Sequence, residues 1–141
     1  MSDFVIEQTR CTPQIIVDSK EGKIEISGIS NPINAAEVFE PVLKKLEEYV
    51  DDPPDNTVIN MKLVSFNSST SKWLIYLFRK LVQVGRYENK KLVINWYYDK
   101  NDSDSYESGE GYECIIKNNS RKINPNAVEF YYIEFDELPP R

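Results

Sequence analysis

Four consecutive hydroxyl-bearing residues, Ser68 to Ser71, lie in the segment SFNSSTSKW between an apolar run and an amphipathic run. One side-chain oxygen is enough to cap a helix, because a single Ser, Thr, Asn or Asp at the N-cap satisfies a free backbone N–H of the first turn. The other hydroxyls therefore either fill a polar strand-to-helix loop or serve a chemical purpose.

The structural interpretation of this segment is that Asn67, Ser68 or Ser69 caps the following helix and that the other hydroxyls occupy the loop. Two features do not fit it. Lys72 is expected in the first turn, where a positive charge opposes the helix dipole. The same Lys72 stands three residues after Ser69, where a capping box has Glu or Gln. Both features suit an anion attached to a serine at an exposed helix start, which favours a phosphorylated hydroxyl that controls protein docking.

The composition restricts the classes of function that the chain can have. The sequence of 141 residues has no histidine, which removes the commonest general base and most transition-metal ligand sets. A net charge of -6 and a pI near 4.8 disfavour a surface that binds nucleic acid through phosphates. Cys11 and Cys114 lie too far apart in sequence for a C-x-x-C site. We expect a single domain over residues 1–141, with proteins as partners and no cofactor.

Acidic residues offer a metal site and a catalytic pair as further hypotheses. The run from Asp99 to Glu110 matches several oxygen-ligand positions of an EF-hand loop, but Asp104 replaces the glycine that the turn requires. Asp51 with Asp52, or Asp102 with Asp104, could act as general acid and base. Nothing in the sequence distinguishes the environments of the two members of either pair. We therefore predict a solvated acidic face, no metal and no catalysis.

The hydrophobic periodicity predicts an α/β domain with a mixed sheet that opens with a β-hairpin and is packed by amphipathic helices. The predicted strands span residues 13–18, 23–28, 57–64, 92–98 and 127–135. The predicted helices span residues 35–50, a segment from the hydroxyl cluster toward Gly85, and a short segment from Ser105 to Ile116. Asn34 is the expected N-cap of the first helix, and Pro41 is expected to kink that helix or delay its start.

Three aromatic residues, Trp96 to Tyr98, end the strand over residues 92–98. They could stack on the bases of single-stranded nucleic acid, but no basic groove accompanies them. We therefore expect at least two of them to lie in the core or under a helix.

The runs SGISNPINA, FNSSTSKW and VINWYYDKNDSDSYESGEGY resemble the SiaC regulatory phosphoproteins, whose members are similar in fold to STAS-domain anti-sigma factor antagonists. The resemblance implies a non-enzymatic switch. It further implies that a dedicated kinase modifies the hydroxyl directly after the Asn, that a PP2C-type phosphatase removes the phosphate, and that the unmodified form engages a target, which in characterised relatives is a diguanylate cyclase. That hydroxyl is Ser68 here, in a switch loop that also contains Asn67, Ser69, Thr70 and Lys72.

Two alternatives to this switch stay open. The chain could be a constitutive protein-interaction adaptor, or a STAS-like module that binds a small anion at the same helix start without any kinase.

The longest uninterrupted apolar run, Trp73 to Phe78, is too short to cross a membrane, which favours a cytoplasmic protein. If the switch exists, Ser68 must be exposed at the start of its helix, and the partner surface must surround it.

Overall fold

A computed structural model of the chain describes residues 2–136, which contain one six-stranded sheet and three α-helices. The strands are β1 (Phe4–Ile6), β2 (Gln14–Asp18), β3 (Lys23–Ser30), β4 (Asn56–Phe66), β5 (Lys91–Tyr98) and β6 (Val128–Glu134). The helices are α1 (Ala35–Tyr49), α2 (Ser68–Leu81) and α3 (Ser103–Arg121), and a 3₁₀ turn (Val82–Arg86) follows α2.

The strands lie in the sheet in the order in which they occur in the chain. Strands β1, β2 and β3 pair antiparallel, whereas β3 to β6 pair parallel through α1, α2 and α3. Right-handed crossovers that all advance in one direction place the three helices on one face. The burial pattern of the strands agrees with helices on a single face, because Ile24 and Ile26 are buried while the alternate Lys23 and Glu25 are not. The predicted mixed α/β sheet with an initial hairpin is confirmed.

The prediction of a short helix from Ser105 to Ile116 is wrong in its extent. Helix α3 begins at Ser103 and continues to Arg121, which makes it the longest of the three helices in the described part of the chain. Most of the missed length is the polar run from Lys117 to Arg121, which contains two Asn and one Ser of weak helix propensity and no apolar residue, so the periodic pattern did not reveal it. Packing against the sheet supplies the missing stability. Strand β1 was not predicted either, because three residues carry too little pattern.

Helix α1 tolerates the proline that was expected to disturb it. The helix starts at Ala35 and runs through Pro41 to Tyr49, so the expected delay of its start is wrong. Pro41 is exposed, so the carbonyl that loses its helical partner there can bind water instead. Asn34 occupies the N-cap position as predicted, but its side chain makes no capping hydrogen bond.

The aromatic residues at the end of β5 are mainly structural, as predicted. Trp96 is buried in the core. Tyr98 packs edge-on against Tyr106 of α3, with 5.0 Å between the ring centroids. Tyr97 lies on the opposite face of the sheet, where the ammonium of Lys62 sits 4.9 Å from its ring centroid.

The parallel strands β3, β4 and β5 all end at the same edge of the sheet, and each is followed by a helix. The N-termini of α1, α2 and α3 therefore meet at this edge, which we call the carboxyl edge. In open α/β sheets, functional groups gather at this edge, because a rigid scaffold of strands and helices positions the loops there. The hydroxyl cluster lies at this edge.

Candidate phosphorylation site

Asn67 is the N-cap of α2 and anchors the start of that helix. Its Oδ1 accepts hydrogen bonds from the backbone N–H of Thr70 and from the hydroxyl of Ser69, both at 3.0 Å. Its Nδ2 donates to the carbonyl of Pro32 at 3.2 Å, and its backbone N–H donates to the carbonyl of Ser30 at 3.0 Å. The structural interpretation is thus correct for Asn67, which fastens α2 to the end of β3 and to the loop before α1.

Thr70 and Ser71 use their hydroxyls to hold α2 in place. Thr70 is fully buried, and its Oγ1 lies 3.1 Å from the carbonyl oxygen and 2.7 Å from the hydroxyl of Ser30, which is also fully buried. The hydroxyl of Ser71 lies 2.6 Å from the hydroxyl of Tyr112 on α3. Burial raises the pKa of Tyr112, and the bond to Ser71 opposes that shift only in part. These two hydroxyls are therefore structural.

Ser68 is the first residue of α2 and is exposed. Its hydroxyl makes no hydrogen bond to any other group in residues 2–136. Ser69 is also exposed, but its hydroxyl is bonded to the cap. The expected exposure of Ser68 is confirmed, and Ser68 is the member of the cluster that a second protein can reach without breaking a bond of the fold.

Lys72 does not lie in the first turn of α2, contrary to the sequence prediction. Because Asn67 is the N-cap, Lys72 is the fifth helical residue and begins the second turn, where the dipole effect on its charge is small. Residues four apart lie on the same face of a helix, so Lys72 is the neighbour of Ser68 along α2. Lys72 is exposed and takes part in no ion pair within the described residues.

The acidic residues near the carboxyl edge act as helix and turn caps. Oδ1 of Asp102, the N-cap of α3, accepts a hydrogen bond from the backbone N–H of Asp104 at 3.0 Å. Oδ1 of Asp99 accepts one from the backbone N–H of Asn101 at 2.9 Å. Because the chain is helical from Ser103 onward, the EF-hand spacing cannot wrap around an ion here.

The other hypothetical carboxylate pair, Asp51 with Asp52, lies between α1 and β4, at the edge of the sheet opposite the carboxyl edge. Asp51 there binds the guanidinium of Arg86 at 3.2 Å. Asp52 is exposed beside it, so the two carboxylates share no enclosed site.

Comparison with known proteins finds the family that the sequence resembles. The family model described as "SiaC family regulatory phosphoprotein" matches residues 6–126. An uncharacterised protein of Pseudomonas aeruginosa strain UCBPP-PA14 is 27% identical over 100 residues, which cover 71% of this chain and 79% of that protein.

Solved structures of SiaC from Pseudomonas aeruginosa have a similar fold. Apo-SiaC superposes with a TM-score of 0.73 at 22% identity, covering 95% of this chain and 98% of that one. A crystal structure of the diguanylate cyclase SiaD in complex with its activator SiaC superposes with a TM-score of 0.78 at 21% identity, covering 94% of this chain and 100% of that one. Within residues 2–136, no helix has the length and apolarity needed to span a membrane.

Proposed function

The chain belongs to the SiaC family of regulatory phosphoproteins, and we propose that it is a non-enzymatic signalling switch controlled by phosphorylation of Ser68. The observation that carries this proposal is that the four hydroxyls differ in their hydrogen bonding. Those of Ser69, Thr70 and Ser71 are engaged within the fold, whereas the hydroxyl of Ser68 is exposed and makes no bond in the described chain.

The surroundings of Ser68 suit a phosphate group. A phosphoserine carries nearly two negative charges and three strong acceptor oxygens. At the first position of α2 these oxygens lie beside the free backbone N–H groups and the positive end of the helix dipole. Lys72 places an ammonium on the same face one turn later, and an anion that precedes a cation by four residues is the favourable order. These groups thereby stabilise the phosphorylated state. The local charge of the surface formed by Ser68 and Lys72 changes from positive to negative.

We propose three protein partners for this switch: a dedicated kinase, a PP2C-type phosphatase, and a target that binds the unmodified form. A diguanylate cyclase is the target class that we favour, because the similar SiaC of Pseudomonas aeruginosa forms a complex with the cyclase SiaD as its activator. Phosphate on Ser68 opposes docking by charge repulsion and by the cost of desolvating the phosphate. A loss of about 3 kcal/mol at a packed interface reduces affinity more than about a hundredfold.

The experiment compares the Ser68→Ala, Ser68→Asp and Ser69→Ala variants in their native cells. Intact mass spectrometry followed by peptide mapping should find a phosphoryl adduct on Ser68 in the original chain and in Ser69→Ala, and none in Ser68→Ala. Pull-down of partners should show that Ser68→Ala retains the target, whereas Ser68→Asp partly loses it, because one carboxylate has about half the charge of a phosphate.

Identical partner sets for Ser68→Ala and Ser68→Asp would refute the switch and leave a constitutive adaptor. Binding of inorganic phosphate by the purified protein, without any kinase, would instead support an anion-binding module. Lys72→Ala tests the electrostatic argument. This variant should destabilise the phosphorylated protein more than the unmodified protein, because only the phosphorylated serine presents an anion to the ammonium of Lys72.

A further inference from the structure

Strand β6 forms a free edge of the sheet, because within residues 2–136 it pairs only with β5. All seven of its residues pair with β5 without a bulge, and its sequence, VEFYYIE, contains no lysine and no proline. Proteins usually protect an exposed edge with such residues, with a bulge or with a very short strand. The opposite edge follows this rule, since β1 has three residues. The edge formed by β6 does not, so it is open to pairing with another strand.

Every second residue of β6 points its backbone groups away from β5. The carbonyl of Ala127 accepts a hydrogen bond from the N–H of Leu92 at 2.8 Å, and the N–H of Phe135 donates to the carbonyl of Tyr98 at 2.9 Å. Because the backbone groups of a strand alternate between its two sides, the residues between these two contacts alternate as well. The residues whose N–H and C=O point outward are Val128, Phe130, Tyr132 and Glu134.

A second copy of β6 fits this edge in the antiparallel direction. With Tyr131, the middle residue of the strand, opposite Tyr131 of the second copy, the outward-pointing residues of the two strands face each other. Phe130 would then lie opposite Tyr132 of the second copy, and Glu129 opposite Ile133. Aromatic pairs at such positions stabilise a sheet, and no like charges are directly opposed. About eight backbone hydrogen bonds would join the two strands.

The charges at the two ends of this pairing are complementary. The ammonium of Lys117 on α3 lies 3.4 Å from the carbonyl oxygen of Val128. Val128 would lie opposite Glu134 of the second copy, an exposed residue that in its own copy makes a long ion pair of 3.8 Å with Lys100. Lys117 of each copy would therefore lie beside Glu134 of the other. This complementarity identifies a second copy of the chain as the occupant of the edge.

We propose that the chain forms a homodimer through antiparallel pairing of two β6 strands around Tyr131. The side chain of Tyr131 is 49% exposed in the single chain, and the dimer covers it. The interface consists mainly of backbone hydrogen bonds and buries little apolar area. We therefore expect a weak dimer, with a dissociation constant of about 10–100 µM.

The dimer joins two sheets into one, with all helices on the same face, because directly paired residues of adjacent strands share a face. The strands of the second copy run in the opposite direction, so the two carboxyl edges lie at opposite ends of the joined sheet. Ser68 follows β4, and β5 and β6 separate β4 from the interface. The two copies of Ser68 are therefore remote from the contact, and dimer formation does not depend on the function proposed above for Ser68.

Sedimentation equilibrium of the purified full chain, from about 1 to 500 µM, tests the proposal. The mean mass should rise from 16.4 kDa toward twice that value as concentration increases. Tyr131→Lys places two ammonium groups opposite each other and should weaken the dimer about tenfold or more. Val5→Lys is the matched control, because Val5 is 48% exposed on the other edge strand, and it should have no effect.

A mass of 16.4 kDa at every concentration would overturn the proposal. Association that survives Tyr131→Lys, or that Val5→Lys abolishes, would also overturn it, because the contact would then lie elsewhere. Circular dichroism of both variants should match that of the original chain, since both positions are exposed.

A charge exchange tests the register. Lys117→Glu should weaken the dimer about fivefold, because it opposes two carboxylates at each end of the interface. The double variant Lys117→Glu with Glu134→Lys restores opposite charges and should return the affinity to within about twofold of the original. A double variant that associates no better than Lys117→Glu alone would refute this register.

Cross-linking traps the same contact. In a chain that carries Cys11→Ser and Cys114→Ser at its two exposed cysteines, Tyr131→Cys should form a disulfide-linked dimer with oxidised glutathione. Directly opposed residues of this kind have Cα atoms about 4.5 Å apart, which suits a disulfide. Val5→Cys in the same background should remain a monomer on a non-reducing gel. Equal cross-linking of the two variants would show random collision and overturn the proposal.

The dimer and the switch can fail separately. Ser68→Ala and Ser68→Asp should both dimerise like the original chain. If these two variants retain identical partner sets in cells while Tyr131→Lys dissociates the dimer, the switch is refuted and the dimer is upheld. If their partner sets differ and the chain is monomeric at every concentration, the switch is upheld and the dimer is refuted.

Discussion

Replacing Asn67 with alanine should destabilise the protein through the loss of specific hydrogen bonds. The capping bond to the backbone N–H of Thr70 is 3.0 Å long, and loss of such a cap costs about 1 kcal/mol. The bond from Nδ2 to the carbonyl of Pro32 is 3.2 Å long and contributes about 0.5–1.5 kcal/mol. The bond from the exposed Ser69 adds little. The expected loss in the free energy of unfolding is therefore about 2 kcal/mol.

Urea denaturation followed by circular dichroism measures this loss, and a thermal scan should show Tm lower by about 6–8 °C. Asn34→Ala is the matched control, because Asn34 occupies the N-cap of α1 without a side-chain capping bond. It should change stability by less than about 0.5 kcal/mol. Asn67→Asp keeps the acceptor and adds a charge that the helix dipole favours, so its loss should stay below about 1 kcal/mol.

An equal effect of Asn67→Ala and Asn34→Ala would refute the reasoning, because the two variants differ in the bonds that the side chain makes. A loss as large for Asn67→Asp as for Asn67→Ala would show instead that the Pro32 bond dominates and that the cap contributes little.

Three further predictions concern the framework around the site. Gly109→Ala should lower stability by about 1–3 kcal/mol in urea denaturation, because its Cβ would lie 2.5 Å from Trp96. Thr70→Val should cost about 1–3 kcal/mol by the same assay, since it leaves a buried serine hydroxyl of β3 without its partner. Partial desolvation opposes ionisation of Asp3, but the ammonium of Lys45 at 2.6 Å and further hydrogen bonds outweigh it and hold the carboxyl pKa well below its usual range. Asp3 should thus stabilise the fold above about pH 4 and lose this effect as pH falls further, so the stabilities of Asp3→Asn and the original chain should converge in acid.

Much of the sheet could be predicted because its apolar residues alternate with a period of two. Strands β2 and β3 were placed within one or two residues, and the hairpin between them was assigned from the turn-like SKEG together with the alternation in the second run. A different signal located β5: its residues are nearly all apolar or aromatic, as expected for a central strand. Helix α2 was found from the apolar stripe that contains Leu74 and Leu81. These elements are determined locally, since a period of 2 or 3.6 residues is a property of the sequence itself.

Helix α3 shows where local information ends. Its first half is acidic and contains Gly109, whose packing under Trp96 is a contact between an element and a strand that precedes it in the chain. The hydrogen bond from Nε1 of Trp96 to the carbonyl of Ser105 at 3.0 Å adds to the same contact. Neither contact leaves a periodic signal in the sequence. The residues missed at the C-terminal end, Lys117 to Arg121, are polar and leave no apolar stripe, so the helix appeared shorter than it is.

The sequence by itself showed a surplus of hydroxyls at the start of α2, and it predicted an anion at this place. Only the tertiary structure decided which hydroxyl is available. Thr70 is engaged by Ser30, 40 residues away, and Ser71 by Tyr112, 41 residues away, which leaves Ser68 exposed. Such partners meet only when the sheet and helices are assembled, because they come from distant segments that the strand order brings to one edge. The physical reason is that burial and hydrogen bonding depend on neighbours in space, whereas propensity and periodicity depend on neighbours in the chain.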